Sequence, residues 1–254
     1  MTKNIRIIPK LEVKGENLIK GVHLEGLRVV GKPEEAAVKY YKDGADEIIY
    51  MDLVASLYQR ENFLNIVEKT ASKVFIPMTV GGGIRRIEDV KITLRSGADK
   101  VAINTQAIKT PKIISYIANI FGSQCVVVSL EVQKKTNGQY ECYSDMGRNP
   151  TGLDPVLWAK EAAKLGAGEI LVTSISQDGT ENGFDLDLVK SLTNNLQIPV
   201  IASGGAGKKE DFLDVIKIAN ADAVAAGTIF HFKKSKISTV KKYLKSADVG
   251  VRIT

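Results

Sequence analysis

Two glutamates occupy matched places in the chain. Leu11-Glu12-Val13 is repeated as Leu130-Glu131-Val132. Two carboxylates placed across one pocket can divide general acid and general base work between them. Taken alone, either could pair with a neighbouring lysine, such as Lys10 or Lys14, and only shape a pocket mouth; the matched placement favours chemistry. Two glycine-rich turns are matched as well. Val80-Gly81-Gly82-Gly83 answers Ala202-Ser203-Gly204-Gly205-Ala206-Gly207, and two short apolar runs end on Asn104-Thr105 and Gly227-Thr228. Glycine lets backbone N–H groups approach an anion closely, and a helix N-terminus behind the turn adds partial positive charge. One such turn also serves as a plain strand-to-helix connection. The matched pair predicts two phosphate cradles, Gly82, Gly83, Asn104 and Thr105 in one half, and Ser203, Gly204, Gly205, Gly227 and Thr228 in the other. Two cradles imply an elongated substrate with a phosphate at each end.

These residues need elements to position them. Apolar runs predict strands at 5–13, 47–53, 74–80, 100–104, 125–132, 169–175, 198–203 and 223–227. Helical patterns lie between them, at 33–42, 60–72, 87–94, 111–120, 154–165, 186–193, 209–219 and 237–245. Pro33 suits a first helical position. Continuous apolar strands alternating with amphipathic helices argue for a parallel sheet covered by helices. Eight such units fit an α/β fold of the (β/α)8 TIM barrel type, where chemistry sits at the C-terminal ends of the strands. The chain also repeats itself. GADEIIYMDL at 44–53 resembles GAGEILVTSI at 166–175, and GADKVAINT at 97–105 resembles NADAVAAGT at 220–228. Repeats in one order at nearly one offset predict two homologous half-barrels, approximately 1–122 and 123–254, in a single domain 1–254. The stretch 133–152 reads as a hairpin around Asn137-Gly138 followed by a loop.

Composition narrows the partners. Of 254 residues, 44% are hydrophobic and 25% charged, an ordinary globular balance that excludes disordered and membrane classes. The N-terminal segment has charges where a signal peptide needs an apolar stretch, so the expected compartment is cytoplasmic. Two cysteines and two histidines at unsuitable spacing predict no metal site, and no cofactor is expected. The net charge of +6 reads as lysine-rich helix faces before it reads as an anion-binding surface. No aromatic-plus-arginine array suggests nucleic acid.

With both halves laid out, the chain resembles the cyclase subunit of imidazole glycerol phosphate synthase, the HisF family, from Arg6 to Arg252. The resemblance rests on RIIP at 6–9, LIKG at 18–21, GADEIIYMD, TVGGGI at 79–84, GADKVAINT, FGSQCVVV at 121–128, GAGEILVTSI, QDGT at 177–180, ASGGAGK at 202–208 and FHF at 230–232. It implies a HisH-like glutaminase docked on the N-terminal face of the barrel and ammonia travelling through the barrel core to a phosphorylated small-molecule substrate. Arg6, Glu47, Lys100 and Glu169 match the family's ammonia gate, and Asp99 matches a position facing the partner. Glu131 takes the place of the general acid and Glu12 that of the general base. Lys20 falls on a mobile loop after the first strand, which could close over the substrate with His23 and Arg28. Thr173, Asp178 and Gly179 fall at the substrate, and Asp52 at the mouth of the second strand; His231 and Trp158 read as packing.

The chain departs from the family at the chemistry. Glutamate stands at 12 and 131 where the family carries aspartate, Ser176 replaces an acidic residue, and 133–152 differs. One added methylene displaces a carboxylate by about 1 Å, enough to matter where geometry is tight. The resemblance therefore implies closure of PRFAR, the phosphoribulosyl intermediate of histidine biosynthesis, to imidazole glycerol phosphate with release of AICAR, or else ammonia supply for amidination of a bacterial surface sugar. A non-catalytic activator of a glutaminase has no use for phosphate cradles. The related HisA isomerases take no ammonia, which the charged gate argues against.

Overall fold

The computed structural model describes residues 4–53 and 60–253. In chain order the strands are β1 (Arg6–Lys14), β2 (Asn17–Val22), β3 (Glu25–Gly31), β4 (Ile48–Asp52), β5 (Met78–Gly81), β6 (Lys100–Ile103), β7 (Val126–Lys134), β8 (Tyr140–Ser144), β9 (Asn149–Pro150), β10 (Glu169–Ser174), β11 (Val200–Ser203) and β12 (Ala223–Ala226). Parallel strands run in the order β10-β11-β12-β1-β4-β5-β6-β7, and pairing of β7 with β10 closes the ring into an eight-stranded barrel. Helices α1 (Pro33–Lys42), α2 (Arg60–Ala71), α3 (Ile87–Arg95), α5 (Lys112–Phe121), α6 (Pro155–Lys164), α7 (Leu186–Thr193), α8 (Lys209–Lys217) and α10 (Ile237–Ser246) lie between the strands, with short α4 (Thr105–Lys109) and α9 (Thr228–His231) at the mouth. Among the described residues, no helix is long and apolar enough to cross a membrane.

The repeats seen in the sequence are repeats of register. Lys10 and Glu12 stand opposite Ile49 and Met51 of β4. Ser129 and Glu131 stand opposite Leu171 and Thr173 of β10 in the same way. Local devices repeat too. The Asp89 carboxylate accepts the N–H groups of Arg85 and Arg86 at 2.8 and 3.0 Å at the start of α3. Asp211 does the same for Gly207 and Lys208 at 2.8 and 2.9 Å at the start of α8. At the barrel floor, Asp46, Asp99 and Asp222 each accept a backbone N–H of a neighbouring strand, from Ile7, Met78 and Val200 at 2.8, 2.8 and 2.7 Å. These charge-assisted bonds pin strand register from below.

Alternation along the strands builds two apolar layers. Outward residues such as Ile7, Leu11, Tyr50, Val101, Val128 and Val224 pack under the helices. Inward residues Ile8, Ile49, Met51, Ala102, Val127, Leu171, Ile201, Ala223 and Ala225 fill the barrel axis. Each large aliphatic side chain buried this way contributes about 1.5–3 kcal/mol.

Two expectations are corrected. The segment after the first strand is an antiparallel hairpin, β2 with β3, docked on the barrel mouth, so Lys20 lies in a strand and is buried. The turn at its tip uses His23 and Leu24 at φ 53° and 62°, a left-handed conformation that those residue types do not advertise. The third barrel strand starts at Met78 rather than at 74, because Phe75 is exposed and Pro77 has no N–H to give a ladder. The hairpin after the fifth strand is present, with Gly138 at φ 81° and Glu131 paired to Tyr143. Helices α4 and α9 are too short to show in a helical period.

Candidate active site

The inward faces of the strands stack chemistry in layers. At the floor, Arg6, Glu47, Lys100 and Glu169 form a closed ring of ion pairs. Arg6 meets Glu47 at 2.7 Å and Glu169 at 2.9 Å, and Lys100 meets both at 3.1 Å. The Thr79 hydroxyl donates to Glu47 Oε1 at 2.6 Å. The four predicted gate residues therefore come together. Above them lies the aliphatic layer. Ile8, Ile49, Val127, Leu171, Ile201, Ala223 and Ala225 have 0% exposure, so the axis is shut at that level. Asp99 is exposed beside the floor, with one carboxylate oxygen bound to Met78 N–H.

The next inward layer carries Glu12, Lys10 and Thr173, with Glu131 across the mouth. Glu12 is enclosed by two ammonium groups, Lys20 Nζ at 2.9 Å and Lys10 Nζ at 3.2 Å. Lys20 also binds Asp178 at 2.7 Å, and Lys10 reaches Thr173 Oγ1 at 3.5 Å. Lys14, the other candidate partner, points to solvent. Burial by itself would raise the Glu12 carboxyl, but Lys20 and Lys10 outweigh it and hold the group down at about 2. Glu12 and Asp178 together hold Lys20 above the ordinary lysine range against the opposing effect of burial.

Glu131 has the opposite fate. Desolvation dominates and pushes it up to about 7, against the pull of Lys10 and of the Gly147 N–H, which donates to Oε2 at 2.8 Å. The two glutamates are therefore pushed in opposite directions, Glu12 toward the ionised form and Glu131 toward the protonated one.

The residues predicted as cradles line two separate spaces. Gly82, Gly83, Asn104 and Thr105 line a cavity of about 520 Å³ with Glu131, Asp52, Arg85, Lys109 and Arg148. Ser203, Gly204, Gly205, Gly227, Thr228, Asp178 and Gly179 line a space of only about 10 Å³ with Lys10, Glu12 and Lys20. Lys10, Glu12, Lys20 and Asp178, joined by ion pairs, wall the second space. Asn104 and Thr105 also tie down the hairpin after β7, through Tyr143 O at 3.1 Å and Asp145 N at 2.9 Å. Part of the glycine pattern is packing. A Cβ at Gly82 would meet Asp52 O at 2.3 Å, and one at Gly204 would meet Ser174 O at 2.8 Å.

The two hairpins touch over the mouth. Leu24 Cδ1 and Ile175 Cδ1 lie 3.1 Å from where a Cβ of Gly147 would stand. His23 anchors its own tip, with its N–H on Asp178 O at 2.8 Å and Nδ1 at 3.0 Å from Ile175 O. His231 bridges Lys10 O at 3.1 Å and Tyr40 OH at 2.7 Å, and burial lowers it to about 4. It packs behind β1, and Trp158 is buried on α6. Lys10 is the site residue that sequence reasoning passed over as a mere partner for Glu12. The signal was its spacing: 6, 8, 10 and 12 share one strand face.

Comparison with known proteins shows the family. The family profile described as "Histidine biosynthesis protein" matches residues 6–236. The imidazole glycerol phosphate synthase subunit HisF of Legionella pneumophila is 61% identical over 209 residues, which is 82% of this chain and 99% of that protein. The description of that relative makes it one subunit of a synthase. By both comparisons, this eight-stranded barrel belongs to the histidine biosynthesis protein family.

Proposed function

We propose that the chain is the cyclase subunit of an imidazole glycerol phosphate synthase, which adds ammonia to PRFAR and releases imidazole glycerol phosphate and AICAR. The observation that carries this reading is a pair of register-matched glutamates at one mouth, Glu12 held between the Lys10 and Lys20 ammonium groups and Glu131 met by the Gly147 N–H. The likeness to HisF supports the reaction class. Glu131 carries the proton that a general acid needs near neutral pH. Glu12 enters ionised and becomes a stronger base once Lys20 is drawn from it to a substrate phosphate. The two phosphates are assigned to Gly82-Gly83-Asn104-Thr105 and to Ser203-Gly204-Gly205-Gly227-Thr228. Thr173, Asp178 and Gly179 orient what lies between.

The nitrogen source in this reading is a HisH-like glutaminase on the floor side, around the Arg6-Glu47-Lys100-Glu169 ring and Asp99. Neutral ammonia suits the aliphatic axis, since an ammonium ion would pay the full cost of losing its water there. Passage needs the layer of Ile8, Ile49, Leu171 and Ile201 to move. The cytoplasm is the compartment that fits an ammonia-fed biosynthetic subunit.

The test is turnover of PRFAR with ammonium salts at alkaline pH, without glutaminase. The reading expects both products at rates within about tenfold of another cyclase of this family, a barrier difference near 1.4 kcal/mol. No product, with PRFAR still bound through its phosphates, would assign the site to a different acceptor.

A further inference from the structure

Lys10 sits where the axis opens into the site. On the inward face of β1 it stands directly above Ile8 of the aliphatic layer and directly below Glu12. Its side chain is buried, and it lines the same small space as Ser203, Gly204 and Gly205. Two lysines meet Glu12, but they are held differently. Lys20 makes contacts of 2.9 and 2.7 Å, normal lengths for charged pairs. Lys10 makes longer ones, 3.2 Å to Glu12 and 3.5 Å to Thr173. An ammonium has three donors. A buried cation held by two long contacts at the exit of an apolar conduit is suited to turn a donor to an incoming group.

We propose that Lys10 is a further catalytic residue, whose ammonium receives the carbonyl oxygen of the acceptor while nitrogen adds to the carbon. This rests on the cyclase reading above, in which a ribulosyl ketone is attacked. The nitrogen lone pair forms the C–N bond as the C=O π pair moves onto oxygen. A Lys10 N–H donates to that oxygen as its charge grows. Glu131 hands the oxygen a proton and takes one back from the added nitrogen, giving a carbinolamine with no net change in the protein. Loss of the oxygen as water then leaves an imine. The groups facing Lys10 are Glu12 on its own strand, Thr173 on β10, Lys20 on β2, and, acting through space, Glu131 on β7; His231 of α9 bonds its backbone oxygen. Lys10 is the one of these that offers a charged donor to oxygen without being tightly paired.

The experiment compares wild type, Lys10→Met and Lys10→Gln with PRFAR and saturating ammonium, without glutaminase, from pH 7 to 9. Melting curves confirm that at least one variant folds. Removing an oxyanion donor predicts a fall in kcat on the order of 100-fold, equal across that pH range, with KM for PRFAR changed by less than about threefold. A kcat within about threefold of wild type in either folded variant would overturn the proposal. So would a loss that disappears by pH 9, because Lys10 would then act only by keeping Glu12 ionised. If wild type itself does not turn over PRFAR, the cyclase reading fails and this inference falls with it; if wild type is active and the variants are too, only the inference fails.

Discussion

Strands β1 and β7 share one register and carry opposite electrostatics at their mouth ends. Glu12 and Glu131 hold equivalent register positions, yet one is held down at about 2 and the other is pushed up to about 7. Two residues earlier on each strand, the first half has Lys10 and the second has Ser129. The hairpins differ in the same sense. The first half sends Lys20 onto its glutamate, whereas the second sends only a backbone N–H from Gly147. Two register-matched strands supply two carboxylates at one rim. Which ammonium groups sit beneath and above each decides whether it arrives with or without a proton.

That contrast can be broken most severely at the carboxylates themselves. Glu131→Gln, measured with PRFAR and ammonium, is expected to lower kcat by about 10³-fold and to remove the limb of the pH profile near 7. A next step is to make the halves alike. Ser129→Lys places an ammonium beneath Glu131 as Lys10 lies beneath Glu12, and the apparent pKa near 7 should move to the acid side. The rate at pH 7 should fall by about tenfold or more as the acid form is lost.

The smallest effect is on stability. The Glu131 carboxyl ionises later in the folded chain, near 7, than at its ordinary 4.5. Its contribution to folding is therefore fully present below pH 4.5 and is lost as pH rises through 7. Glu131→Gln removes that loss. Its Tm should match wild type at pH 4.5 and exceed it at pH 8. Glu12 runs the other way, with stability present above 4.5 and lost as pH falls toward 2.

Much of this was legible from residue order. Continuous apolar runs marked the eight barrel strands because such strands are buried on both faces. Internal repeats marked strands that share one register, and their glycines marked two turns at the mouth. Asn137-Gly138 announced one hairpin because those residues accept the left-handed turn, whereas His23-Leu24 concealed the other. The protonation split was hidden for a different reason. It depends on Lys20 reaching Glu12 across a hairpin and on how far each carboxylate is cut off from water, and neither distance nor desolvation is written in spacing. Lys10 was in plain view at period two from Glu12, but its contacts at 3.2 and 3.5 Å needed the fold.

The most direct measurement is a titration of side-chain carboxyl carbons by NMR in glutamate-labelled protein, with Glu12→Gln and Glu131→Gln as assignments. The account predicts one resonance that titrates near pH 7 and vanishes in Glu131→Gln, and one that stays ionised down to about pH 3 and vanishes in Glu12→Gln. Two resonances titrating together near 4.5 would contradict it.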